Sequence, residues 1–87
     1  MPIKSNKVIV WGQYNCVYCD RAKSLLKASG IEYQERMIGT DEGSWTLQDL
    51  LKVVPTARTV PQIFIGDTYI GGFTELQKYL DDNVKTA

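Results

Sequence analysis

Histidine is absent from this 87-residue chain, cysteine occurs only twice, and ten Lys and Arg stand against ten Asp and Glu. Each shortage excludes something. A mononuclear zinc site wants four ligands, and two sulfurs without an imidazole cannot close one within a single chain. No run of Lys or Arg follows a phosphate backbone or lies on an anionic membrane, so nucleic acid and membrane partners are excluded. Long apolar runs are missing as well: the start, Met1-Pro2-Ile3-Lys4-Ser5-Asn6, is followed by only four apolar residues, Val8 to Trp11, too few for a signal-peptide core or a spanning helix. The expected location is the cytoplasm. No repeat, low-complexity tract or long linker divides the chain, and 44% hydrophobic residues suffice for one core, so residues 1–87 are read as one domain. A single chain is expected to work as a monomer.

What is present reads as short periodic segments between Gly- or Pro-marked breaks. Residues 8–11 are apolar on both faces, as a central strand is, and Gly12 is expected to close it. Helical spacing follows over 18–29, with Cys19, Ala22, Leu25 and Leu26 on one side and Gly30 as the stop. Residues 32–37 suit an edge strand, and 39–44 a polar loop. Thr46 with Asp49 predicts a capped second helix, with Trp45 stapled on Leu50, a buried stripe of Leu47, Leu50, Leu51 and Val54, and Pro55 as its end. Residues 62–65 and 68–70 flank Gly66-Asp67, a hairpin turn of the Gly-first kind. Thr74 with Gln77 is read as the capping box of a last helix whose Leu76, Tyr79 and Leu80 face inward. A right-handed crossover makes the first two strands parallel, and the hairpin completes a four-stranded mixed sheet with three helices on its two faces. This is an α/β thioredoxin-like architecture.

The chemistry is expected at Cys16-Val17-Tyr18-Cys19, where the first strand turns into the first helix. Cys16 falls at the helix start, where free N–H groups and the positive end of the helix dipole favour thiolate and lower the pKa from about 8.5. Cys16 is therefore the expected nucleophile. Cys19, on the face of Ala22 and Leu26, is shielded and placed to attack a mixed disulfide on Cys16. Two alternatives remain at this point: a pair of thiols that merely pack, and a metal or iron-sulfur cluster bridged between two chains.

Three segments together resemble the glutaredoxin family: the Cys16–Cys19 motif, Arg58-Thr59-Val60-Pro61-Gln62-Ile63-Phe64-Ile65, and Gly71-Gly72-Phe73-Thr74-Glu75-Leu76. The resemblance spans nearly the whole chain. It implies a dithiol glutaredoxin that reduces protein disulfides and glutathione mixed disulfides, with glutathione as reducing co-substrate, no tightly bound cofactor and no metal. It implies disulfide-bearing protein clients, ribonucleotide reductase among them. Glutathione would lie across Gln13, Tyr18, Arg58, Thr59, Val60, Pro61, Gly72, Thr74 and Glu75. An X-Pro bond is cis in only about 5 to 6% of cases, so Val60-Pro61 taken alone reads as trans. The resemblance reverses this to cis, which turns the Val60 main chain outward to pair with a substrate as a strand would. The N–H groups of Thr74 and Glu75 would hold the γ-glutamyl carboxylate, Tyr18 would wall the groove, and Arg58 either approaches the glycyl carboxylate or is a solvated surface charge.

Two positions depart from the family pattern. Val17 stands where many members have Pro, and Gln13 where they have Lys or Arg. A less rigid turn at Val17 could admit a cluster-bridged dimer or shift the reduction potential. A redoxin of the same fold served by thioredoxin reductase is the near rival. No carboxylate lies in residues 8–10 to act as the buried proton acceptor of thioredoxins proper, which weakens it.

Overall fold

The computed structural model describes residues 7–83. The first six residues, the start of the segment read above for a leader, lie outside them. The elements run β1 (Val8–Gln13), α1 (Val17–Ala28), β2 (Gln34–Ile38), α2 (Leu47–Val53), β3 (Gln62–Ile65), β4 (Thr68–Gly71) and α3 (Phe73–Asn83). The sheet order is β2-β1-β3-β4. β1 pairs parallel with β2 (Val10 opposite Glu35) and antiparallel with β3 (Val10 opposite Ile63), and β4 returns antiparallel along β3. The expected mixed sheet is therefore the observed one. Of the two hairpin-turn residues only Gly66 has a positive φ, 61°, as a Gly-first turn requires.

Strand alternation distributes the core. Val8 and Val10 with Ile63 and Ile65 face Ala22 and Leu26 of α1 and Leu76 and Leu80 of α3 in one cluster. Ile9, Trp11 and Phe64 face the other way, toward Leu50 and Val54. Every strand thus has a helix-covered side, and β1, between β2 and β3, is covered on both.

Three expectations need correction. Gly12 does not close β1; the strand runs through it to Gln13, because Gly12 and Gln13 pair with Met37 and Ile38 of β2. The α2 stripe is only half buried: Leu50 and Val54 are inside, whereas Leu47 is 53% exposed and Leu51 half-buried. A helix of seven residues covers too little of the sheet to bury all four. The Trp45 ring meets Trp11 edge-on, centroids 5.2 Å apart, and Arg36 lies over both rings. Trp45 also bridges to β2, its N–H donating to the Met37 carbonyl and its carbonyl accepting from Gly39 N–H, both at 3.0 Å. The capping box of Thr46 and Asp49 forms as expected, and the Thr46 N–H bonded to it holds the Asp49 carboxyl below its usual range.

Thr74 is the third correction. α3 starts at Phe73, so Thr74 lies inside the first turn, exposed, and Gly72 precedes the helix. Glu75 closes this end instead, its carboxylate accepting the Gly72 N–H at 2.9 Å. The reciprocal half of a capping box therefore forms two residues earlier than Thr74 and Gln77 suggested.

Candidate active site

β1 delivers the chain to Tyr14 and Asn15, and Asn15 takes the left-handed conformation (φ 60°) that asparagine tolerates better than most side chains. This sharp turn puts Cys16 at the N-cap of α1, with extended backbone (φ −117°, ψ 104°). Its Sγ accepts the Cys19 N–H at 3.1 Å, doing what a Ser or Asp oxygen does at most helix starts. When the sulfur is reduced, that bond and the helix dipole both favour the thiolate.

The two sulfurs are joined as a disulfide, with Cα atoms 5.2 Å apart, and they differ in surroundings as expected. Cys16 is half-buried and Cys19 is 1% exposed. Part of what buries Cys19 is a missing side chain. A Cβ on Gly12 would stand 3.1 Å from Cys19 Sγ, so the bare backbone of β1 is what allows the strand to pass that close.

Val60-Pro61 is cis, as the resemblance required and the isolated sequence did not. The Val60 carbonyl oxygen lies 3.7 Å from Cys16 Sγ, where a reduced thiol could donate to it. Behind this loop stands Gln62, 6% exposed, whose amide donates to the Thr59 carbonyl at 2.7 Å and whose oxygen accepts the Tyr69 hydroxyl. Gln62 thus ties the loop to β4. Sequence reasoning saw Gln62 only as the start of a strand. A Gln among Val, Ile and Phe at a central strand was the available signal.

The remaining expected residues fall on two sides of Cys16. Gln13, Arg58, Thr59 and Val60 line one groove together with Ile38 and α2. On the other side Gly72 approaches the cis-proline loop so closely that a Cβ there would meet the Pro61 carbonyl at 3.4 Å, while a Cβ on Gly71 would strike Glu75 Cγ at 3.0 Å. The first N–H of α3 with a helical carbonyl to bond is that of Leu76, to Gly72 at 3.0 Å. The Thr74 and Glu75 N–H groups precede it and have no carbonyl within the helix. Tyr18 is 54% exposed beside Cys19, held between Phe73, at 5.9 Å between centroids, and the Arg21 guanidinium at 5.2 Å. Neither Phe73 nor Arg21 was singled out in the sequence, although Phe73 follows the Gly-Gly pair directly.

Known proteins agree with this geometry. The family described as Glutaredoxin matches residues 8–70. A glutaredoxin of Vibrio cholerae is 36% identical over 81 residues, covering 88% of this chain and 93% of its own. Glutaredoxin 1 of Francisella tularensis superposes with a TM-score of 0.74 at 31% identity, covering 95% of this chain and all of that one. A buckwheat glutaredoxin solved with glutathione superposes at 0.73 and 31% identity, covering 97% and 77%. The chain spans about half the length of other curated relatives that it matches, 53%, 48% and 47% of theirs. With a half-exposed cysteine capping a helix, a buried one a turn further in and a cis-proline loop against the first sulfur, the chain belongs to the glutaredoxin family and carries its pair in a Cys-x-x-Cys motif.

Proposed function

We propose that the chain reduces protein disulfides and glutathione mixed disulfides with glutathione as its electron source, in a reducing cytoplasm. The observation that carries this reading is the placement of Cys16 Sγ against the Val60 carbonyl, with one set of polar groups on each side. In the reduced chain the Cys16 thiolate attacks a disulfide sulfur, forming a mixed disulfide and releasing the other half as a thiolate that takes a proton from water. With a protein client, Cys19 then attacks Cys16, the client thiol leaves, and the Cys16–Cys19 disulfide is left on the chain. Two glutathione molecules return it to the dithiol and leave as glutathione disulfide.

Glutathione fits the two sides in one orientation. The Thr74 and Glu75 N–H groups at the start of α3 suit the γ-glutamyl carboxylate. The Val60 main chain pairs with the cysteinyl residue, and Gln13 or Arg58 meets the glycyl carboxylate, with Tyr18 beside the sulfur. The likeness to the buckwheat protein, solved with glutathione, supports glutathione as the ligand.

The test is turnover of the glutathione mixed disulfide of a small thiol, with glutathione and glutathione reductase in one arm and thioredoxin reductase in the other. Turnover in the first arm alone is expected. Turnover only with thioredoxin reductase would refute glutathione dependence.

A further inference from the structure

A groove of about 550 Å³ opens beside Cys16, between the end of β1, α2 and the 57–60 loop. Its floor and far wall are hydrocarbon: Ile38, Leu47 and Leu51. Leu47 sits at the helical spacing of a core residue yet is over half exposed. No Asp or Glu lines the groove, and Arg58 at its rim has no ion-pair partner among the described residues. Val60 belongs both to the groove and to the contact with Cys16. The glycyl end of glutathione brings a carboxylate but no side chain, so it leaves Leu47 and Leu51 uncovered.

We propose that this groove seats the stretch of a client polypeptide next to its disulfide cysteine, taking one apolar side chain against Leu47, Leu51 and Ile38 and a carboxylate at Arg58. This rests on the disulfide-reductase reading above and goes beyond it by naming the client sequence that the site prefers. An extended chain advances about 3.3 Å per residue with side chains alternating. A client pairing with the Val60 main chain therefore brings a residue within three positions of its cysteine over α2. The groove is cationic at its rim and apolar within, so its complement is an apolar residue with an acidic one near it.

The experiment uses the Cys19→Ser chain, reduced beforehand, and peptides whose single cysteine carries thionitrobenzoate. Cys16 attacks the peptide sulfur, the Cys16–peptide disulfide forms, and coloured thionitrobenzoate leaves as the better leaving group. One leucine is walked over the three positions on either side of the cysteine in an otherwise serine-based peptide. At least one position should raise the second-order rate about tenfold, as burial of a large apolar side chain predicts. Adding Leu47→Gln should remove that advantage while leaving the all-serine peptide unaffected. No leucine position exceeding twofold, or an advantage undiminished in Leu47→Gln, overturns the proposal. A glutamate beyond the preferred leucine should outpace a lysine there, the difference shrinking in high salt. Equal rates overturn the role of Arg58. Thionitrobenzoate release needs no glutathione, so failure of glutathione turnover in the parent chain would refute the proposed electron source without touching this result.

Discussion

On the side of α1 and α3 the sheet is closed by Val8, Val10, Ala22, Leu26, Ile63, Ile65, Leu76 and Leu80 packed on one another; on the side of α2 only Trp11, Leu50 and Val54 are fully covered, and Leu47 stands at the surface. The two cysteines divide along the same line. Cys19 is sealed within α1 against Gly12 on the closed side, while Cys16 meets the Val60 loop that borders the open one. One face therefore holds the geometry of the cysteine pair, and the other leaves room for what the pair acts on.

The sharpest break of this comparison is at the sulfurs. Cys16→Ser is expected to abolish all thiol exchange, whereas Cys19→Ser keeps reduction of glutathione mixed disulfides, which needs only the first attack. Intact mass should then find one glutathione on Cys16 of the Cys19→Ser protein. Equal loss of activity in both variants would remove the distinction.

Next come the faces themselves. Leu26→Ala on the closed side should lower the unfolding free energy by about 2–5 kcal/mol, and Leu47→Ala by no more than about 0.5 kcal/mol, as judged by urea titration. Similar costs would mean that α2 is closed in solution. Gly12→Ala sharpens the point, since its Cβ would meet Cys19 Sγ at 3.1 Å on the packed side. A loss of about 1–3 kcal/mol is expected from overpacking, and a neutral effect in the same titration would show that Cys19 can give way.

Smaller effects belong to the open side. Gln13→Lys adds a charge where the glycyl carboxylate is proposed to lie, and should tighten glutathione by about 0.2–1 kcal/mol, with a KM that rises with salt. Unchanged KM and salt dependence would move that carboxylate to Arg58. The smallest is the Asp49 cap. Its carboxyl is held low by the Thr46 N–H, so the stabilisation is present above the ordinary value of 3.8 and lost as pH falls through the lower folded value. Acid unfolding below about pH 4 should be less steep in Asp49→Asn, and an identical profile would exclude the cap as a contributor.

How far these features were legible depended on whether a residue's neighbours in sequence decide its state. The order of elements along the chain, the Gly66 turn, the Thr46 cap and the burial of Cys19 follow from local period and turn chemistry, and all were readable. Leu47 and Leu51 misled because helical spacing says which residues share a face, not whether a seven-residue helix has enough sheet beneath it to cover them. Thr74 misled because Thr-x-x-Gln fits a capping box as well as Gly72 with Glu75 does. Only the space over Gly71 and Gly72, which Glu75 fills, decides between them. The edge-on contact of Trp45 with Trp11 was beyond local spacing, because the two rings lie 34 positions apart in the sequence. The cis bond before Pro61 came from the family resemblance alone, since base frequencies favour trans.

The Trp11–Arg36–Trp45 stack also determines how the molecule can be watched. These are the chain's only two tryptophans, and both sit on the α2 side, one buried beside Leu50 and Val54 and the other partly in solvent. With both rings against one guanidinium, their ultraviolet emission reports on that side alone. Ligand entry at the site proposed beside Gln13, two residues from Trp11, is expected to register as an optical signal, while rearrangement between α1 and α3 should pass without one. The protein carries its own fluorophores at the face where substrates are proposed to arrive, so binding there can be followed without attaching a dye.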